Sequence, residues 1–174
     1  SGAADVDYFD FNGDGFLDVI ASASFANKLI LLVNDGNQQF TELILDESND
    51  LGGIKEISIG DVDNDGFKDI LCATTSNGTI LAFINTNNTL TFNKVELING
   101  LLNPTDFVLV DMDKDNDLDF IIAEIGFGGE FLYYSNGGNL NFSEVQIIDN
   151  LSGGRKVGTG DFDLDNDQDF IGAG

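Results

Sequence analysis

A nine-residue acidic segment recurs four times in this chain: DFNGDGFLD at residues 10–18, DVDNDGFKD at 61–69, DMDKDNDLD at 111–119 and DFDLDNDQD at 161–169. The starts lie 51, 50 and 50 residues apart, and self-similarity at such a period constrains a fold more than any local propensity does. The agreement runs through the whole period. Each complete unit continues with an apolar run (VIASA, ILCAT, FIIAE), a second run ending in Asn34, Asn85 or Asn136, a Gly/Asn-rich turn, and a third run opened by Phe40, Phe92 or Phe142. A fourth run (IKEISIG, TDFVLV, KVGTG) precedes the next acidic segment.

Four short β-rich runs punctuated by Gly, Asn and Asp turns read as four strands, with no stretch long or periodic enough for a helix. Four strands in about 50 residues is the size of one β-propeller blade. The expected architecture is therefore all-β, a propeller segment of four-stranded antiparallel blades. A single 1–174 segment holds about three and a half of them, with repeats starting near 3, 54, 105 and 155 and the last incomplete. The incomplete repeat leads us to expect either an excerpt of a longer protein or a subunit that completes its sheets with a neighbour through open strand edges.

Composition narrows the function classes. With 31 acids against 7 bases and no histidine, the formal charge is −24, which opposes binding to nucleic acid or an anionic membrane surface. Fifteen Phe and abundant aliphatic residues oppose disorder. The lone Cys72 excludes an internal disulfide, and the absence of His removes the usual zinc ligand and general base. No apolar run approaches membrane-spanning length, so no membrane insertion is expected. No nucleophile and base pairing stands out, and no enzyme activity is expected.

Three or more carboxylates within nine residues repel one another unless a cation is bound. Calcium takes six to eight oxygens, and a loop offering side chains at positions 1, 3 and 5, a backbone carbonyl at 7 and a further carboxylate wraps such an ion. Numbered this way, the expected ligands of the first loop are Asp10, Asn12, Asp14, the Phe16 carbonyl and Asp18. Those of the second are Asp61, Asp63, Asp65, the Phe67 carbonyl and Asp69. The third offers Asp111, Asp113, Asp115, the Asp117 carbonyl and Asp119, and the fourth Asp161, Asp163, Asp165, the Asp167 carbonyl and Asp169.

Position 6 needs a positive φ, and Gly15, Gly66, Asn116 and Asn166 suit it. Hard oxygen donors alone favour calcium over transition metals and over magnesium. About four Ca²⁺ ions, one per loop, are expected, and they would bring −24 to −16. At about 1 mM calcium and a dissociation constant near 0.1 mM, each site would stabilise the fold by about 1.4 kcal/mol. Submicromolar calcium would leave such sites nearly empty, so an extracellular or cell-surface location is expected. A helical EF-hand is disfavoured because the flanks are β-rich and position 12 is Ala21, Cys72, Ile122 or Gly172 instead of glutamate.

These residues resemble the FG-GAP and VCBS-type repeats, whose blades carry DxDxDGxxD calcium loops between their first and second strands, as in integrin α-subunit propellers. The likeness is closest to bacterial cell-surface versions, and is carried by the acidic loops together with Asp18-Val19-Ile20-Ala21-Ser22-Ala23, Asn27-Lys28-Leu29-Ile30 and Asn34-Asp35-Gly36. It implies a secreted or surface-attached, non-catalytic module in adhesion or in protein or carbohydrate recognition, its partner a protein or glycan ligand. Two further functions fit the same residues: a self-assembling subunit of an extracellular fibre, and an accessory propeller of a secreted polysaccharide-active enzyme. Asn12 departs from the acid expected at position 3 and predicts a weaker first site; Asn116 and Asn166 stand where the family has glycine.

Three side-chain types carry rival readings. Cys72 sits at the register position of Ala21 and Ile122, which fits a small core residue. Tyr133 and Tyr134 suit packing between blades better than stacking on a sugar. The NxS/T motif occurs at Asn77, Asn87, Asn141 and Asn150, where about two are expected by chance, which is weak support for glycosylation.

Overall fold

The computed structural model describes residues 3–23, 26–126, 130–149 and 154–174; Asn150 lies outside the described residues. Three four-stranded antiparallel sheets and one two-stranded sheet follow one another along the chain. The first is β1 (Ala3–Phe9), β2 (Asp18–Ala23), β3 (Lys28–Asn34) and β4 (Phe40–Asp46). The second is β5 (Ile54–Gly60), β6 (Asp69–Thr74), β7 (Thr79–Asn85) and β8 (Phe92–Ile98). The third is β9 (Pro104–Val110), β10 (Asp119–Glu124), β11 (Glu130–Asn136) and β12 (Phe142–Asp149), and the last is β13 (Lys156–Gly160) with β14 (Asp169–Ala173). Every sheet is an up-and-down meander in sequence order. The strands coincide with the apolar runs, and a 3-10 turn at Asn49–Leu51 buries Leu51.

The first strand of each sheet packs on the first strand of the next: β1 on β5, β5 on β9, β9 on β13. The sheets therefore fan around a common axis as propeller blades. Period-two alternation then explains the second blade. Ile70, Cys72, Leu81 and Phe83 face the first blade, where Phe11, Ile20, Leu29 and Leu31 meet them. Leu71, Ala73, Ile80, Ala82 and Ile84 face the third blade and pack on Phe107, Phe120, Ile122 and Leu132. A blade covered on both faces reads as a continuous apolar run, and β6 and β7 are buried at every residue. The first blade has one covered face, so β2 alternates strictly between buried and half-buried.

This packing fixes the acidic segments at one end of the fan, because each joins the first strand of a blade to its second. Residue 2 anchors the first two segments, Phe11 and Val62 lying within the inter-blade cores, whereas Met112 is half-buried and Phe162 is exposed. No helix among the described residues is long and apolar enough to cross a membrane.

Candidate metal centres

Each acidic loop is wound around its own first aspartate. Asp10 accepts the backbone N–H of Gly13 at 2.8 Å and of Gly15 at 2.8 Å. Asp111 holds Asp115 and Asn116 at 3.1 and 3.2 Å, and Asp161 holds Asp165 and Asn166 at 3.1 Å each. The residue at position 5 closes the turn, its carboxylate accepting the N–H at position 7: Phe16 and Phe67 at 2.9 Å, Asp117 at 2.9 Å and Asp167 at 3.0 Å. Position 6 has the left-handed backbone that its occupants predict, with φ of +90° and +93° at Gly15 and Gly66 and +75° and +72° at Asn116 and Asn166.

The ninth residue works differently. Asp18, Asp69 and Asp119 are fully buried, and each divides its two oxygens between its own loop and the end of the third strand. One oxygen takes the N–H at position 2 (Phe11 at 3.1 Å, Val62 and Met112 at 2.9 Å). The other takes the N–H of the asparagine that ends the third strand, Asn34, Asn85 or Asn136, at 2.9 Å each. The recurring asparagine was visible in the sequence; its tie to the loop was not. Burial pushes the Asp69 carboxyl up to about 6, against the pull of the Asn85 and Val62 N–H donors and with the help of the Asp63 and Asp65 charges. Burial raises Asp18 and Asp119 in the same sense.

Carboxylate oxygens converge to within 4.8 Å of one another in three loops: Asp61, Asp63 and Asp69; Asp161, Asp163 and Asp169; and Asp111, Asp113 and Asp115. Against the expected pattern, the second and fourth sets leave out position 5 (Asp65 and Asp165), and the third leaves out Asp119, whose Oδ2 also accepts the Tyr133 hydroxyl at 3.1 Å. The first loop forms no such acid triad among the described residues. There Asn12 turns its amide onto Asp14 at 2.9 Å, so the departure at position 3 changes the geometry as well as the charge. In the second loop Asp61 Oδ1 is buried with no hydrogen-bond partner. A buried carboxylate oxygen without a donor, facing two more carboxylates, is strongly disfavoured unless a cation meets it. The donor set is all hard oxygen, and it fits a divalent cation of calcium's kind.

Two further positions carry structure that sequence reading passed over. Position 4 is left-handed in every loop: φ is +72° at Gly13, +59° at Asn64, +64° at Lys114 and +65° at Leu164. Five residues ahead of each loop stand Asp5, Glu56, Asp106 and Lys156, one per inner strand. Asp5 accepts the Ile57 N–H and Asp106 the Val157 N–H, each at 2.7 Å from the following blade. Lys156 bridges Glu56 and Asp106 at 2.9 Å to each. A constant offset from the acidic segments was the signal that could have found both.

The other candidates resolve as packing or turn residues. The Tyr134 hydroxyl donates to Glu144 while its ring joins the core, and the Tyr133 hydroxyl serves Asp119. Cys72 is fully buried in the first inter-blade core, and burial pushes its thiol up to about 12. The Asn77 amide nitrogen donates to the Asp50 carbonyl at 2.8 Å. Away from the acidic loops, Asn49, Asp50, Asn77, Lys94, Glu96 and Asn99 line a polar cleft of about 580 Å³ beside the connection from the first blade to the second.

Comparison with known proteins bears on the whole arrangement. A family profile described as an FG-GAP-like repeat matches residues 10–72 and 61–122. A solved lectin from Agrocybe aegerita, described for its specific recognition of non-reducing terminal N-acetylglucosamine, superposes with a TM-score of 0.66 at 19% identity. The match covers 96% of this chain and 46% of the lectin, so the chain spans about half of that protein's length, and at this identity the likeness establishes the fold. Characterised protein sequences gave no match.

Proposed function

The chain belongs to the FG-GAP-like repeat family, and on that premise we propose that it is a calcium-binding, non-catalytic extracellular propeller module for adhesion or for protein or carbohydrate recognition. The observation that carries the calcium part is the buried, unpartnered Asp61 Oδ1 among the converging oxygens of Asp63 and Asp69. A dication there removes the repulsion and supplies the missing partner. In the second and fourth loops the carboxylates at positions 1, 3 and 9 form the core of the site, and position 5 and the carbonyl at 7 complete it. The third loop relies more on Asp111, Asp113 and Asp115, and the first, with Asn12, is the weakest.

Bound ions hold each loop closed and so fix the relative position of a blade's first two strands. Loops that fill only at millimolar calcium would be occupied outside the cell and nearly empty in the cytosol, and the extracellular assignment rests on that. For the recognition part, the Agrocybe aegerita lectin's ligand supports a glycan, and the polar cleft at Asn77, Glu96 and Asn99 offers amide and carboxylate groups suited to sugar hydroxyls.

The test is thermal unfolding and calorimetric titration of the chain with calcium and with EGTA. Binding of about four ions with a rise in unfolding midpoint of several degrees is the expected result. An unchanged midpoint on chelation would refute the calcium reading.

A further inference from the structure

The loops do not stand alone. Asn64, at position 4 of the second loop, donates its side-chain amide to the Asn116 carbonyl at position 6 of the third loop at 3.2 Å, and to the Asp117 carboxylate beside it. Lys114, at position 4 of the third loop, donates to the Asn166 carbonyl at position 6 of the fourth at 2.8 Å. The same step is made twice in one direction. In the first loop position 4 is Gly13, which has no side chain to make it.

We infer that cation binding by the second, third and fourth loops is positively coupled through Asn64 and Lys114, and that the first loop binds independently. The inference rests on the calcium reading above. Position 6 is the shared element, since its N–H is held by the loop's own first aspartate and its carbonyl by the preceding loop. Asn116 donates to Asp111 at 3.2 Å and Asn166 to Asp161 at 3.1 Å. A cation that draws in Asp111 therefore sets the Asn116 carbonyl where Asn64 meets it. Asn64 lies between Asp63 and Asp65, so the bond also orders two carboxylates of the second loop. An empty loop spreads under the repulsion of its acids and loses this contact, and a filled neighbour lowers the cost of closing the next.

The backbone agrees with this direction of reasoning. A left-handed φ suits Gly or Asn, yet Lys114 holds +64°. Locally a glycine would be easier, but only a side chain such as the lysine's reaches the fourth loop. The side chain of Asp117, whose carbonyl and not its carboxylate serves the ion, likewise has a role as the second acceptor for Asn64.

The experiment is calorimetric titration of the intact chain with calcium after EGTA dialysis, comparing wild type with Asn64→Gly, Lys114→Gly and their combination. Glycine relieves the left-handed backbone, so any loss of coupling cannot be blamed on a strained loop. Wild type is expected to show three cooperative ions and one independent ion. Each substitution should keep the stoichiometry, lower the Hill coefficient toward one and weaken the cooperative class by about fivefold per bond removed. Leu164→Gly, which relieves the same backbone strain without removing an inter-loop bond among the described residues, should leave the coefficient unchanged. Gly13→Asn should bring the first loop into the cooperative class, because only the movable end of Asn88 lies in the path of the new side chain. Non-cooperative binding by wild type, or an unchanged coefficient in the double variant, overturns the coupling and leaves calcium binding intact. Absence of any calcium binding overturns both.

Discussion

Asp69 Oδ1 accepts the backbone N–H of Asn85 at 2.9 Å, tying the start of the second strand of a blade to the end of the third. The other oxygen of Asp69 takes Val62 at 2.9 Å, so the residue is a structural pin as well as a candidate ligand. Asp63, exposed to a greater degree and bonded only within its loop, has no such pin. Asp69→Asn puts an amide NH₂ against one buried N–H and should destabilise the fold by about 2 to 3 kcal/mol in EGTA, and by more in calcium, where a ligand is lost as well. Asp63→Asn should leave the chelated protein unchanged or slightly firmer, and lose about 1.4 kcal/mol only when calcium is present. Denaturant unfolding of both variants in calcium and in EGTA separates the two roles. Equal losses for Asp63→Asn in both buffers would remove the distinction.

Much of this was legible in the chain because a propeller repeats its own solution. Strand positions followed from the runs between Asp18 and Asn34 and their counterparts, and the convergence of positions 1 and 3 in the second, third and fourth loops followed from spacing. What sequence could not carry was whatever depends on a partner strand or blade. Asp119 is drawn toward Tyr133 because β10 and β11 pair with Ile121 opposite Tyr133, a register that no local pattern encodes. The bond from Ile57 to Asp5 spans 52 residues. Lysine and leucine at left-handed position 4 run against residue preference, so Lys114 and Leu164 hid a conformation that Gly13 and Asn64 alone would have suggested.

Asn12 is the residue that sets the first loop apart. Its amide donates to Asp14 Oδ2 at 2.9 Å and its oxygen accepts the Asp14 N–H at 3.0 Å, which occupies groups that an ion would use. Asn12→Asp restores the acid of the other three loops. Calcium should bind that loop about tenfold more tightly, a gain of about 1.4 kcal/mol, while the EGTA-treated protein loses a few tenths to added repulsion. Calorimetry reads the affinity directly, and an unchanged weakest site would count against position 3 as its cause.

Leu164 combines a φ of +65° with 82% exposure, so its side chain gains little burial in return for a disfavoured backbone. Asparagine tolerates that conformation and keeps the chain no more flexible when unfolded than most residues do. Leu164→Asn should therefore raise stability by about 0.5 to 1 kcal/mol irrespective of calcium. Chemical denaturation in both buffers is the measurement, and a loss of stability would mean that Leu164 has a packing role that its exposure conceals.

At the axis, burial is the main force on Glu56 and pushes its carboxyl up to about 7, with Asp106 and Asp5 adding to the rise and Lys156 opposing it. The folded protein therefore holds this proton more firmly than the unfolded chain, whose glutamate titrates near 4.5. By linkage the stabilisation is fully present below the unfolded value and is lost as pH rises through 7. Because Lys156 is 66% exposed and water screens the cluster, the loss should be about 1 to 2 kcal/mol, well under the unscreened value. Glu56→Gln mimics the protonated form: its carbonyl can still accept from Lys156 and its amide can donate to Asp106. The variant should be the more stable protein at pH 8 by that amount and equal to wild type near pH 4, with the difference growing between them. Urea unfolding across this range at saturating calcium checks it, with the ligand carboxylates titrating alike in both proteins and cancelling in the difference; parallel curves would place the pH dependence elsewhere.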